Sequence, residues 1–186
     1  MFTEKRAVLR PPDSFETARL LARKPREDDA PAVFAAYASD PHATRYLAWM
    51  PYANVEKLAE FLRGRAAGWE KGDGHYAYLL CVRGTDTPIG SIGIFIHEPK
   101  AMFGYVLGQP YWGRGYATEA LTWLVDWTDR QPRIRRVWAY CAAENPSSAR
   151  VMEKAGLRCQ GIRRRAQVFP NLGAEPRDCV YYAKAK

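Results

Sequence analysis

The feature that most restricts the fold is a change of hydrophobic period around Gly72-Asp73-Gly74. Before it, Val55, Leu58, Leu62 and Trp69 recur at the spacing of one helix face, and Asn54 is placed to cap the start. After it the period falls to two, in three runs: His75 to Val82, Pro88 to Ile96 and Ala101 to Leu107. The links, Gly84-Thr85-Asp86-Thr87-Pro88 and His97-Glu98-Pro99-Lys100, are short and rich in turn formers. Parallel neighbours need a long crossover, so strands joined this closely predict an antiparallel meander.

The third run, ending Gly104-Tyr105-Val106-Leu107, leads into Gly108-Gln109-Pro110-Tyr111-Trp112-Gly113-Arg114-Gly115-Tyr116-Ala117-Thr118-Glu119. This is a strand, a turn of Gly, Pro and small residues, and a helix that continues through Trp123, Leu124, Val125 and Trp127. The first N–H groups of a helix lack internal partners and form its positive pole, so the turn predicts an anion site, most often for phosphate. A Walker A loop needs a Gly-Lys-Ser/Thr end, which the chain lacks. A dinucleotide fingerprint starting at Gly113 needs Gly or Ala where Thr118 stands, and belongs in the first βα unit of a parallel sheet. Two simpler roles stay open at this point: glycines that only make a tight turn, and an Arg114 that is solvated instead of reaching a phosphate.

Elsewhere, Thr17 to Arg23 alternates as a first strand, and Glu27-Asp28-Asp29 opens a helix carrying Val33, Phe34 and Tyr37 that stops near Asp40-Pro41. Trp49-Met50-Pro51-Tyr52 is an aromatic loop. Val137 to Cys141 is a strand, after which Asn145 caps and Pro146 begins a helix that Gly156-Leu157 ends. Leu157 to Arg164 and Cys179 to Ala183 are the last strand candidates. Residues 1–16 are expected as a lead-in arm and 17–186 as one domain, without repeats.

A chain of 186 residues is long enough for one substantial core. Its 47% apolar and 26% charged content is that of a globular protein, not a disordered one. No apolar run approaches the ~18 residues that span a bilayer, and Met1 to Arg6 lacks a signal-peptide core, so a cytoplasmic protein without a membrane partner is expected. Cys81, Cys141, Cys159 and Cys179 show no metal-ligand spacing, so reduced, mostly buried thiols and no metal are expected. The balance of 28 basic against 20 acidic residues, +8, favours an anionic ligand, substrate or RNA surface, or is simply a solvated basic exterior. Arg133, Arg135, Arg136 and the run Arg163-Arg164-Arg165 carry much of it.

The glycine turn Trp112-Gly113-Arg114-Gly115-Tyr116-Ala117, followed about thirty residues on by Asn145-Pro146-Ser147-Ser148-Ala149-Arg150-Val151-Met152-Glu153-Lys154-Ala155-Gly156-Leu157, resembles the GNAT superfamily of acyl-CoA-dependent N-acyltransferases. Within it, the chain resembles the ribosomal-protein N-terminal acetyltransferase (Rim-type) branch, as do Thr17-Ala18-Arg19-Leu20 and Arg177-Asp178-Cys179-Val180-Tyr181-Tyr182-Ala183. The resemblance implies an α/β (α+β layered) domain: a mixed, largely antiparallel sheet, splayed at the cofactor and flanked by about four helices. It implies acetyl-CoA as co-substrate, its pyrophosphate on the amides from Gly113 to Ala117, among Trp112, Arg114, Tyr116 and Thr118. Trp112 stands where the superfamily pattern has Gln or Arg. Tyr105, Val106 and Leu107 would hold the acyl end, Asn145 and Arg150 would contact the cofactor, and Ser148 would protonate the leaving thiolate, with Ser147 as runner-up. Asn145 serving only as a cap, and Ser148 as an ordinary first-turn residue, are the simpler alternatives.

Glu98 and His97 are the nearest candidates for a general base, with Glu70, His75 and Asp178 more remote. From ordinary pKa values, freeing an amine of its proton at pH 7 costs about 4.6 kcal/mol for lysine and about 1.4 kcal/mol for an α-amine. A site without an obvious carboxylate base therefore suits an α-amine, of a protein N-terminus (a ribosomal protein among the partners implied) or of an amino-acid-like molecule. A drug or polyamine acetyltransferase, and a ribosome- or RNA-associated acyl-CoA-binding module without turnover, stay open, as does a homodimer. The aromatic loop would either shape the acceptor pocket or pack in the core.

Overall fold

The computed structural model describes residues 8–186. Eight strands make one sheet in the order β1-β2-β3-β4-β5-β6-β8-β7. They are β1 Ser14–Glu16, β2 Leu20–Arg23, β3 His75–Val82, β4 Pro88–His97, β5 Lys100–Leu107, β6 Arg136–Ala142, β7 Arg158–Val168 and β8 Pro176–Ala185. Every neighbouring pair is antiparallel except β5 and β6. The meander is β3-β4-β5, as the period-two runs require.

The helices are α1 Ala30–Val33, flanked by the 3₁₀ turn Glu27–Asp29 and the π-turn Phe34–Ala38, then α2 Val55–Lys71, α3 Tyr116–Asp129 and α4 Pro146–Lys154. Asn54 Oδ1 accepts from the Lys57 N–H at 3.0 Å, and Gly72 ends α2 in the left-handed region at φ +67°. One apolar cluster joins Val33, Tyr37, Leu58 and Leu62 to Leu79 and Val106 of the sheet. A second, larger one joins Ala120, Leu121, Leu124 and Met152 to Tyr78, Ile92, Ala139 and Tyr182. Thus α1 and α2 cover one face of the sheet, α3 and α4 the opposite face.

The expected arm over residues 1–16 lies in part outside the described residues, and its end is not an arm. Ser14–Glu16 pairs with β2, and Phe15 is buried, stacked on Trp123 of α3 at 3.9 Å. Three residues are too few for a period to show, so this strand is defined by its partner and not by its own pattern.

The parallel pair β5–β6 decides where a ligand can enter. Its register runs from Lys100↔Arg136 through Ala101↔Val137 to Met102↔Trp138, and no pair links the strands beyond. The sheet therefore splays from Phe103 onward. The Gly108 N–H bonds to Ile89 on the β4 side, so alternation turns the backbone groups of Tyr105 and Leu107 away from β4 and into the splay.

Candidate functional site

The glycine turn sits at the mouth of the splay. Gly113 and Gly115 have φ of +71° and +81°, and Gly115 is the N-cap of α3. Both need glycine for their backbone, which turns the chain so that α3 begins against the splay with its first N–H groups unpartnered within the helix. An anion placed before the turn would meet a helix of 14 residues end-on. The Trp112 indole N–H donates to the Leu107 carbonyl at 2.7 Å, so this position ties the turn to the end of β5 while the ring stays 49% exposed. Arg114 points its guanidinium over the Tyr111 ring.

A brace that the sequence pattern did not announce holds this turn. Glu119 of α3 accepts from the Thr17 hydroxyl at 2.5 Å, the Arg19 N–H at 2.8 Å and Arg19 Nε at 2.7 Å. Arg19 Nη1 donates to the Arg114 carbonyl at 2.9 Å, and the guanidinium lies over the Tyr116 ring. Burial alone would raise the Glu119 carboxyl, but the bonds from Thr17 and Arg19 outweigh it and hold the pKa below its ordinary value. Thr17-x-Arg19 preceding a strand was the available signal; its partner lies a hundred residues away.

Deeper in the splay, Tyr105 of β5 meets α4. Its hydroxyl is 2.7 Å from Ser148 Oγ and 3.0 Å from the Ser148 carbonyl oxygen. Burial pushes the Tyr105 phenol well above its ordinary pKa, with the Ser148 bond opposing, so it keeps its proton. Asn145 Oδ1 accepts from the Ser148 N–H at 3.1 Å, the cap that fixes the serine's position. Cys141 is buried alongside and its S–H donates to the Asn145 carbonyl at 3.7 Å; burial pushes this thiol up to about 11. Ser147 and Arg150 are exposed on α4. The structure thus brings together Tyr105, Val106, Leu107, Trp112, Gly113 to Thr118, Asn145 and Ser148 along one cleft edge.

Glu98 is not brought there. It lies in the β4–β5 hairpin at the far end of β5 from the turn, and Arg133 Nε donates to it at 2.6 Å. Five residues of strand, about 17 Å, separate Lys100 beside it from Tyr105. The hairpin that made Glu98 a strand-end candidate places it at the wrong end, and His97 goes with it. The other base candidates are also engaged: Glu70 with Lys24, and Asp178 with the Arg165 N–H. His75 stacks on Phe95, and Arg65 donates to its Nδ1. Burial, then the Arg65 charge, push the His75 pKa down to about 4, so at neutral pH it is an uncharged, weak base.

On the α1–α2 face the loop after α1 lies against the β7–β8 connection. Asn171 Nδ2 donates to the carbonyls of Thr44 and Trp49 at 2.7 and 2.8 Å, and the Tyr46 hydroxyl to the Glu144 carbonyl at 3.1 Å. Trp49, Tyr52 and Phe61 form a chain of rings beside it, with Met50 exposed. The basic clusters are largely occupied: Arg133 by Glu98, Arg165 by Glu175, and Arg163 over the Tyr181 ring at 4.3 Å.

A sheet splayed between the one parallel pair among the described residues, a glycine turn that opens a helix at its mouth, and a half-buried tyrosine–serine pair inside it fit an acyl-CoA-dependent transferase. The family model for the acetyltransferase (GNAT) domain matches residues 19–158, and the chain belongs to that family. It is 30% identical over 169 residues to the uncharacterized N-acetyltransferase YnaD of Bacillus subtilis (strain 168), covering 90% of this chain and 94% of that one. Among solved structures it is similar in fold to RimL, a ribosomal L7/L12 alpha-N-protein acetyltransferase in complex with coenzyme A, with TM-score 0.78 and 21% identity over 91% of this chain and 95% of that one. It is likewise similar to the microcin C7 self-immunity acetyltransferase MccE in complex with acetyl-CoA and AMP, with TM-score 0.83 and 16% identity over 95% and 98%. The protein is an acetyl-CoA-dependent N-acetyltransferase. Among the described residues no helix is long and apolar enough to cross a membrane.

Proposed function

We propose that the chain transfers the acetyl group of acetyl-CoA to an α-amine, on a protein N-terminus or an amino-acid-like molecule. The observation that carries this is the Tyr105–Ser148 pair at the splay, with the candidate carboxylates Glu70, Glu98 and Asp178 each engaged elsewhere. The residues present fit the cofactor: unpartnered amides at the start of α3 suit a pyrophosphate, and the Tyr105 and Leu107 backbone groups suit an arm lying along β5. Bound there, acetyl-CoA supplies an activated acyl group.

The chain's own residues do the rest. An N–H of β5 in the splay stabilises the charge that develops on the acyl oxygen as the amine attacks. Ser148 gives its hydroxyl proton to the departing sulfur, and Tyr105, still protonated, replaces it through the 2.7 Å contact. The proton lost by the amine balances the one taken by sulfur. With Glu98 remote and His75 a weak base, the acceptor must enter as the free amine, which the lower pKa of an α-amine permits. The similarity in fold to RimL, an alpha-N-protein acetyltransferase, supports this acceptor class.

The test is release of free thiol from acetyl-CoA with a panel of N-terminal peptides and amino-acid amides, set against spermidine and Nα-acetyl-lysine. Turnover with α-amines is expected to exceed that with either side-chain-type amine. A preference for spermidine would overturn the reading, as would calorimetry showing no binding of CoA.

A further inference from the structure

On the α1–α2 side, α2 packs on β3, and α1 with the turn after it on β4 and β5. Beyond the splay the same face of β6, β8 and β7 meets solvent. Arg136, Arg158 and Arg163 are exposed there, and Trp138, Tyr140 and Tyr181 are half-buried. Register puts these six side chains on one surface. Arg136, Trp138 and Tyr140 of β6 lie opposite Ala185, Ala183 and Tyr181 of β8, and the last two lie opposite Arg158 and Gly161 of β7, with Arg163 two residues on. The alternate residues Ala139, Cys141 and Tyr182 pack with α3 and α4, which fixes the side.

The three rings have planes within 22° of parallel and centroids 5.4 to 6.1 Å apart. Phe169 packs at the Tyr140–Tyr181 end, while Trp138 belongs to no buried cluster. Among the described residues none of the three arginines is in an ion pair. Arg136 Nη2 donates to the Gln160 amide oxygen at 3.2 Å, and the Arg163 guanidinium lies 4.3 Å over the Tyr181 ring, contacts that leave both charges unneutralised. A fourth exposed cation, Lys100 of β5, stands directly opposite Arg136. Like charges opposed across a ladder weaken a sheet, so folding does not account for this pairing.

We propose that this face binds single-stranded RNA, with bases against the Trp138–Tyr140–Tyr181 group and phosphates on Lys100, Arg136, Arg158 and Arg163. Cations alone would suit any acidic partner. Rings set among unpaired cations suit one that alternates flat bases with phosphates, and unpaired bases with free faces belong chiefly to RNA loops and ends. A second copy of the chain is disfavoured, because two such faces would oppose cations to cations. The proposal adds a partner to the enzyme and does not depend on which amine it acetylates.

The test is fluorescence anisotropy of a labelled single-stranded RNA of about twelve nucleotides and mixed sequence, titrated with the CoA-loaded protein over a salt series. Affinity is expected to fall with salt at a log–log slope of about −3, four phosphate contacts at about −0.7 each. The triple variant Arg136→Gln, Arg158→Gln, Arg163→Gln should flatten the slope by about 2. The same charge change made elsewhere, Lys57→Gln, Lys71→Gln, Arg83→Gln, should leave it unchanged. Trp138→Leu should weaken binding about tenfold at constant slope, since it removes stacking and no charge. If Trp138→Leu does not fold, preference for single-stranded over duplex RNA decides the stacking arm. No binding, equal losses in the two triple variants, or equal affinity for duplex RNA or polyglutamate would overturn the proposal. So would a homodimer, seen by sedimentation, that Arg136→Glu dissociates, which would assign the face to a second copy.

Discussion

The hydroxyl of Tyr105 lies 2.7 Å from Ser148 Oγ and 3.0 Å from the Ser148 carbonyl, joining β5 to the first turn of α4 across the splay. A carbonyl only accepts, so when the phenol donates there Ser148 must donate to the phenol. When the phenol donates to Oγ instead, the serine proton is released toward the cleft. If this exchange serves proton delivery to sulfur, Ser148→Ala should lower kcat by about 10²-fold or more, the usual weight of a general acid. Tyr105→Phe should lower it by roughly tenfold, the loss of one hydrogen bond worth about 1 kcal/mol. Acetyl-CoA affinity by calorimetry should change less than about twofold in either variant. Equal losses in kcat and affinity would reduce the pair to a structural link.

Arg19 and Glu119 make the same argument at the other end of the cleft, without touching chemistry. They hold the Arg114 carbonyl and the start of α3, so their removal should loosen the turn proposed to receive phosphate. Arg19→Ala or Glu119→Gln should each raise the acetyl-CoA KM by about tenfold and leave kcat within roughly threefold. The double variant should cost little more than either, because one network is lost once. Steady-state kinetics with a saturating acceptor provide the cycle.

The two glycines of the turn can be separated. A Cβ at Gly113 meets nothing within 4 Å, so Gly113→Ala tests backbone strain alone, about 1–2 kcal/mol for a left-handed non-glycine residue. A Cβ at Gly115 lies 3.4 Å from Arg19 Nη2, so Gly115→Ala adds pressure on the brace. Thermal melts should show both variants destabilised. The stabilisation that saturating CoA confers should shrink more in Gly115→Ala than in Gly113→Ala.

What the sequence disclosed follows the range of the forces involved. The period change at Gly72, the caps at Asn54 and Asn145 and the glycine turn are local, and all appear in the structure where the pattern puts them. The GNAT family was legible as a resemblance carried by two motifs, and the splayed sheet as what that resemblance implies. The failures are long-range. β1 depends on a partner strand, and the Arg19–Glu119 brace spans a hundred residues. Glu98 fails for the same reason: a polar residue at a strand end gives no sign of which end of the sheet it occupies until the ladder is drawn.

His75 supplies a prediction whose direction is fixed by its surroundings. Burial and the Arg65 guanidinium, against the weaker pull of Asp73, hold its pKa near 4, below the ordinary 6.5. The unfolded chain takes up a proton here below about pH 6.5, which the folded protein refuses until about pH 4. Stability from this residue is therefore fully present above pH 6.5 and is lost as the pH falls toward 4. Glutamine at this position still offers Arg65 an acceptor but cannot titrate. Melting temperatures of the wild type and His75→Gln, measured at pH 7.0, 5.5 and 4.5, should differ most in favour of the wild type at pH 7.0 and converge as the pH falls. Carboxylate protonation is common to both proteins and cancels in the difference. Parallel curves would mean that His75 is solvated, and that this side of the sheet is more open than the Arg65–His75–Phe95 stack implies.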